Sequence, residues 1–482
     1  MTDFLWHGED AARSVRGEGR TDWQASGVSI DSRTLERGDL FIALQAEHDG
    51  HAYVGDAMRR GAAAAIVSRV PEGVPPDTKL VLVPDTFAAL QDLGSRGRAR
   101  ARGKIIAVTG SVGKTGSKEQ LRHMLAGCGA VYASQGSFNN HWGVPLSLSR
   151  LPQDAAWGVF ELGMNHAGEI APLARQVQPH VALITTVEAV HLEHFTGVEA
   201  IADAKAEIFL GMDAKGTAAL NRDNPHFSRL AAHARTQGLQ TILSFGHSSG
   251  ADARMIEYRI AGEGGDIRAE FFGKPLAYRI SAPGLHYAMN SLGALLTAQA
   301  AGAPLEACAA ALASYTPPEG RGARHEIALP DGGSITLIDE SYNASPVAMR
   351  AAIAVLGQSA PGGGGRRIAI LGDMRELGQT APRLHAELAE PLIAAKIDQV
   401  YCCGHMIQGL LASVPSSMRG RYAADSKSLA AMVAPELRGG DVVLVKGSKS
   451  VHMEAVIEAI RALNAAPAAP GNGRANPTPK VS

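Results

Sequence analysis

Three groups of residues in this sequence have the types and spacing for chemistry. The first is Gly110-Ser111-Val112-Gly113-Lys114-Thr115-Gly116-Ser117, directly after an apolar run ending at Thr109 and before a helix expected over Lys118 to Leu125. A strand, a glycine turn and a helix in this order can cradle nucleotide phosphates. Glycines let backbone N–H groups point inward, the helix N-terminus adds positive potential, Lys114 can reach the β- and γ-phosphates, and the Thr115 hydroxyl can hold Mg²⁺. The strict pattern has a further glycine where this chain has Val108, so an ordinary glycine-rich turn is the plain alternative.

The second group is Glu161, which ends the run Val159-Phe160-Glu161, and His191, which follows the run Val181 to Thr186. Both fall beyond the carboxyl ends of expected strands, where doubly wound sheets bind ligands. A carboxylate and an imidazole there could hold magnesium, although oxygen suits that ion better than nitrogen; a capping carboxylate and a solvated loop histidine are the alternatives. His191 and His194 form an H-x-x-H pair, but no further ligand at zincin spacing accompanies it, which excludes a zinc hydrolase. The third is Lys205, in a helix expected to begin near Val198. Read from its neighbours alone it is an exposed helical lysine, with Asp203 and Glu207 on another stripe.

The elements that position these residues follow from length and pattern. At about 150 residues per domain, 482 residues predict about three domains. Hydrophobic residues are 45% and charged residues 19%, with 46 Lys+Arg against 47 Asp+Glu, which excludes a disordered chain and gives no support to a nucleic-acid or anionic-membrane partner. Cys128, Cys308, Cys402 and Cys403 match neither a disulfide framework nor a zinc set and read as buried thiols in a reducing compartment. No basic-then-apolar leader and no run of about 18 apolar residues occurs, so a cytoplasmic address is expected.

The expected fold class is α/β. A small N-terminal α/β domain spans 1–103, a central phosphate-loop domain with a parallel sheet spans 104–315, and a C-terminal Rossmann-like domain spans 316–464. Short alternating runs from Arg254 to Ile280 predict an antiparallel meander appended to the central sheet. The Pro/Gly-rich stretch Tyr315 to Gly322 marks the second boundary, and 465–482, with nothing to bury, reads as a disordered tail.

An ordered series of motifs then points to a family. Asp31-Ser32-Arg33, Thr109 to Thr115, Ser137-Phe138-Asn139-Asn140, Glu161 to Asn165, His191-Leu192-Glu193, Ala204 to Ile208 and Gly284 to Asn290 resemble the Mur ligases of bacterial peptidoglycan synthesis. Asp339 to Pro346, Leu371 to Gly378 and Val445 to Lys449 resemble, within that family, the members that add a D-alanyl-D-alanine dipeptide. The resemblance runs from about Gly27 to Leu463. It implies that ATP phosphorylates the terminal carboxylate of a UDP-N-acetylmuramoyl tripeptide and that the dipeptide amine displaces the phosphate.

By the same resemblance, Gly110, Ser111, Val112, Gly113, Lys114, Thr115 and Gly116 bind the phosphates. Thr115, Glu161, His191 and a carbamylated Lys205 hold two Mg²⁺ ions. Asn290 serves adenine, Arg324 the γ-phosphate and Asp339 or Glu340 the ribose, with Lys446 close to the reacting groups. Ser32 and Arg33, with Asn139 and Asn140, serve the uridine substrate, although Arg33 could equally form a fold-stabilising ion pair; Asn343 and Ser345 face the dipeptide. Glu340 and Ser345 replace the Asp and Asn that members commonly carry. A monomer without a nucleic-acid partner or membrane span is expected. Two rival functions stay open at this point: an amide ligase with another amine acceptor, and a phosphate-loop switch or motor ATPase.

Overall fold

The computed structural model describes residues 4–330 and 332–465; the tail expected over 465–482 lies, but for Ala465, outside them. The chain divides into two compact units, Met1–Tyr315 and Thr316–Ser482. The boundary expected at residue 103 falls between two sheets of the first unit.

In that unit a five-stranded sheet has the order Glu18–Gly19, Leu80–Leu82, Ala64–Val67, Asp39–Ile42, Gly27–Ser29, parallel except at its first pair. The helix Thr86–Arg100 leads out of it, its N-terminal amides of Phe87 and Ala88 capped by the Asp85 carboxylate. Arg96 to Arg100 are the last turn and a half of that helix. The Arg100 guanidinium lies 4.3 Å from the Trp6 ring centroid, and Arg98 donates to the Val177 carbonyl at 2.7 Å. These arginines are structural struts.

The nine-stranded sheet has the order Lys274–Ile280, Gly264–Phe271, Ala253–Ala261, Thr241–Gly246, Thr217–Asn221, Val181–Ile184, Lys104–Thr109, Trp157–Glu161, Val131–Ala133. Seven neighbouring strands, from Ala253–Ala261 onward, are parallel, and the first three form the antiparallel meander. Lys104–Thr109 is central because its side chains are apolar toward both faces, as a covered parallel strand requires. Ile106 and Val108 join one core with Leu121, Leu125 and Leu292, while Ile105 and Ala107 join another with Phe160, Ile184 and Phe209.

The second unit has one sheet, in the order Ala323–Ala328, Ser334–Glu340, Val442–Lys446, Arg367–Gly372, Gln399–Cys403, Arg419–Ala423, parallel except at its first pair. Its helices cover both faces, which is the expected Rossmann-like arrangement. Three of the four thiols are buried as expected. Cys128 is only half-buried, because it sits just past the C-terminus of the helix Lys114–Ala126, with its Sγ 3.9 Å from that of Cys308. Among the described residues no helix is long and apolar enough to cross a membrane.

The packing of the helix Thr86–Arg100 on its neighbour depends on Gly97, where a Cβ would come within 2.1 Å of the Leu148 carbonyl oxygen. Gly97→Ala must therefore push the helix Thr86–Arg100 off its neighbour Gly143–Ser149. It is expected to cost about 1–3 kcal/mol, read as an earlier transition in urea; an unchanged midpoint would show that the contact yields freely.

Candidate active site

The site forms at the carboxyl ends of Lys104–Thr109, Trp157–Glu161 and Val181–Ile184. Parallel pairing puts Glu161 opposite Val108 and Ile184 opposite Thr109, so the three strands finish level with one another. After Thr109 the chain turns through Gly110 to Gly113 into the helix Lys114–Ala126, which starts one turn earlier than its sequence pattern predicts. Gly113, at φ 85°, is the residue before that helix, in a conformation that side-chain-bearing residues rarely adopt. A Cβ there would also lie 2.8 Å from Oδ1 of Asn290, so Asn290 rests against the phosphate loop itself.

The loop is held by its neighbours. The Ser111 amide donates to the Thr186 carbonyl at 2.9 Å, its hydroxyl accepts from the Glu188 amide at 2.9 Å, and the Thr185 hydroxyl donates to the Val112 carbonyl at 2.6 Å. Lys114 folds back over its own loop, its Nζ donating to the Gly110 carbonyl at 2.7 Å. Gly116 opens the first turn of the helix, where a Cβ would meet nothing within 4 Å.

Glu161 stands 1% exposed at the end of its strand. One carboxylate oxygen accepts from the Thr115 hydroxyl at 2.7 Å and the other from the Asn139 amide at 2.7 Å. Among the described residues no basic side chain pairs with it. A buried carboxylate balanced only by neutral donors lacks a counter-charge. A hydroxyl and a carboxylate oxygen in contact are also the hard donors that Mg²⁺ takes, so the residues present fit that ion.

Lys205 corrects the reading from neighbouring residues: it is 2% exposed rather than solvated. The helix Val198–Ala206 turns Ile201, Ala202, Ala204 and Lys205 inward, because tertiary packing covers both sides of this short helix. Burial, and then the like charge of Lys114, hold its ammonium pKa well below the ordinary lysine value. Both effects shift the balance toward the neutral amine. Glu207, two residues on, is spent elsewhere, accepting from the amides of Gly168 at 2.6 Å and Ala171 at 3.0 Å. His191 is half-buried at φ 55°, a backbone conformation sparsely populated by non-glycine residues and concentrated at functional sites.

The other expected residues fall in several places. Asn140 turns its Oδ1 to the amides of Trp142 and Gly143, at the start of the helix Gly143–Ser149. Ser32 is buried at 5% exposure, and Arg33 pairs with Asp31 through two N–H···O contacts of 3.0 and 2.7 Å, the ion-pair alternative of the sequence reading. In the second unit, Glu340 lies opposite Lys446 across adjacent strands. The Lys446 Nζ donates to its carboxylate at 2.9 Å and to the Asn343 carbonyl at 2.9 Å.

Asp339 uses one oxygen on the Ser341 amide and hydroxyl and the other on the Gly320 amide, so it braces the chain locally. Ligand atoms of Asp339, Glu319 and His325 lie within 4.8 Å of one another, but Arg461 fills that cluster, pairing with Glu319 at 2.5 Å. The Arg324 guanidinium donates to Ser359 at 3.1 Å, and Ser345 accepts from the Ala348 amide at 3.4 Å as the cap of the helix Pro346–Gln358.

Residues 108–298 match the Mur ligase middle domain, and residues 324–449 match the Mur ligase, glutamate ligase domain. A UDP-N-acetylmuramoyl-tripeptide--D-alanyl-D-alanine ligase of Rickettsia prowazekii (strain Madrid E) is 33% identical, over 94% of this chain and 99% of its own length. The chain belongs to the Mur ligase family. Solved structures similar to this Mur ligase include MurF from Acinetobacter baumannii, with TM-score 0.81 and 28% identity over 95% of this chain and 98% of that one. MurF ligase from Thermotoga maritima in complex with ADP has TM-score 0.74 and 27% identity over 91% and 98%.

Reading by motif missed Lys118, Ser134 and Thr185, which hold this Mur ligase's site from behind. Lys118 alone left a signal: it lies on the stripe of Leu121 and Leu125, where a lysine has no reason to be solvated. One prediction follows from the unbalanced carboxylate. In EDTA, Glu161→Gln should melt at or above the wild-type temperature, because it removes an uncompensated buried charge. A fall of more than about 2 °C, roughly 1 kcal/mol for a unit of this size, would show that the charge is already balanced by the protein.

Proposed function

We propose that this Mur ligase joins D-alanyl-D-alanine to a UDP-N-acetylmuramoyl tripeptide at the expense of ATP, in the cytoplasmic synthesis of peptidoglycan precursors. The observation that carries the reading is the match along nearly the whole chain to relatives that bear this activity's name. It accords with a site whose phosphate loop, buried carboxylate and strand-end position suit nucleotide chemistry. The tripeptide carboxylate attacks the γ-phosphoryl group, giving an acyl phosphate and ADP. The dipeptide amine then attacks the acyl carbon, phosphate leaves with the C–O bond electrons, and the amine proton is released.

Magnesium, when bound, supplies neutralisation of the crowded oxyanions. The chain's own part is positioning. Backbone N–H groups from Val112 to Gly116 surround the phosphates, the Ser111 amide being engaged with Thr186, and Lys114 exchanges its bond to the Gly110 carbonyl for phosphate oxygens. Thr115 and Glu161 offer adjoining oxygens to one ion, and His191 with Lys205 serves the second. The neutral Lys205 amine adds to CO₂, forming an N–C bond and releasing a proton. The resulting carbamate would put an anion, in place of a neutral amine, among the residues that would hold the metal.

Asn290 serves the nucleotide from its place against Gly113. Ser32, Arg33, Asn139 and Asn140 serve the uridine substrate, Arg33 by exchanging its exposed Asp31 pair for a diphosphate. In the second unit Arg324 is assigned to the γ-phosphate and Asn343 and Ser345 to the dipeptide. Lys446 serves the reacting groups, its ammonium held in place by Glu340. Asp339 or Glu340 is assigned to the ribose; Asp339 spends both oxygens on backbone and hydroxyl donors, and Glu340 pairs with Lys446. The division at 103 and 315 gives substrate, nucleotide and acceptor parts of one monomer.

Mass spectrometry of a reaction with ATP, UDP-muramoyl tripeptide and D-alanyl-D-alanine should show the pentapeptide product and ADP in equal amounts. Product formed only with a single amino acid in place of the dipeptide, or ATP turnover with no acceptor, would replace this reading. Lys205→Ala should lose most activity and Lys205→Glu retain some. ¹³C-labelled bicarbonate should give a carbamate resonance in the wild type that Lys205→Ala lacks. Wild-type rates in Lys205→Ala would remove the carbamate while leaving the ligase.

A further inference from the structure

The helix after the phosphate loop carries a second lysine, Lys118, with no exposed surface. It lies three residues beyond Thr115, on the same helix face. Its Nζ donates to the carbonyl oxygens of Ser134 and Gly136, both at 2.7 Å, and pairs with Glu119 at 2.7 Å. Three acceptors satisfy the three N–H bonds of the ammonium, which is what a buried lysine requires. An apolar side chain of the same volume could fill such a position at no desolvation cost. What the ammonium holds is therefore informative.

Both carbonyls belong to the segment that reaches the site. The Ser134 hydroxyl accepts from the Glu161 amide at 3.3 Å. Farther along the same segment, Asn139 donates its side-chain amide to Glu161 at 2.7 Å and accepts at its carbonyl from the Gly163 amide at 2.8 Å. One helix thus grips Glu161 twice, directly through Thr115 and indirectly through Lys118 and the segment 134–140.

We propose that Lys118 is a positioning residue that fixes the segment 134–140, and through it the Glu161 carboxylate, in register with the phosphate loop. It touches no reacting atom. The inference rests on the reading of Glu161 as a metal ligand, but its structural half can be tested without substrate. Lys118→Met keeps the length and removes the charge. In hydrogen exchange of the metal-free protein, amides of 135–140 should exchange about tenfold faster in the variant, with the helix itself unchanged.

In turnover, the half-saturating Mg²⁺ concentration should rise about tenfold, as for other residues that orient metal ligands, while KM for D-alanyl-D-alanine stays within about twofold. A variant with a lower melting temperature but unchanged exchange and unchanged Mg²⁺ requirement would overturn the proposal. If Lys118→Met is recovered unfolded, Ser134→Ala removes the hydroxyl link to the Glu161 amide and carries the same two measurements with a smaller expected change. No change in either overturns it. Should the wild type fail to turn over the tripeptide, the functional reading falls, and the exchange comparison still decides the positioning role.

Discussion

A carboxylate buried without a cation is the constraint around which the first unit is organised. Glu161 sits at the end of an interior parallel strand, where water is excluded and only the Thr115 hydroxyl and the Asn139 amide meet its oxygens. Such an arrangement is unfavourable on its own and is held by what surrounds it. The strand pairing sets its height in the sheet, the helix after Gly113 sets the distance to Thr115, and the segment 134–140 sets the approach of Asn139. Each of these is a consequence of burying apolar surface elsewhere. The folding energy of the two cores on either face of Lys104–Thr109 thus maintains a polar geometry that would not assemble by itself.

The second unit solves a related problem differently. Its parallel strands also end in charged groups, but there the charges are matched locally: Glu340 with Lys446 across neighbouring strands, and Arg366 with the wholly buried Asp441 at 2.6 Å. Asp373, at the end of Arg367–Gly372, accepts with one oxygen from the amides of Met406 and Ile407. The other Asp373 oxygen is buried with no hydrogen-bond donor among the described residues, and the Arg375 guanidinium stands 3.8 Å from it.

What could be read from the sequence was what local pattern controls. The phosphate loop, the strand ending at Glu161, the meander and the Pro/Gly stretch at the 315 boundary all follow from apolar runs and punctuation by glycine and proline. Lys205 could not be read this way. Its helix has Asp203 and Glu207 nearby, and nothing local says that Lys205 turns into the core while Asp203 turns out to Arg229 at 2.6 Å. The family resemblance supplied an expectation for Lys205 that periodicity lacked. Asn140, Ser345 and Asp339 show the opposite limit. Short polar side chains serve substrates and backbone amides with the same atoms, and only coordinates reveal that these three are engaged by the chain itself.

The meander also settles how the large sheet ends. A parallel array stopping at Thr241–Gly246 would offer a flat row of unpaired amides and carbonyls to any passing strand. Instead the last three strands reverse direction twice and finish on Lys274–Ile280, whose outer members include Lys274, Pro275 and Arg279. Proline withholds a donor, and the two cations carry water and like charge to that border. A nine-stranded sheet can in this way remain a single molecule's sheet rather than the seed of a fibre, at a rim well away from the strand ends where Glu161 stands.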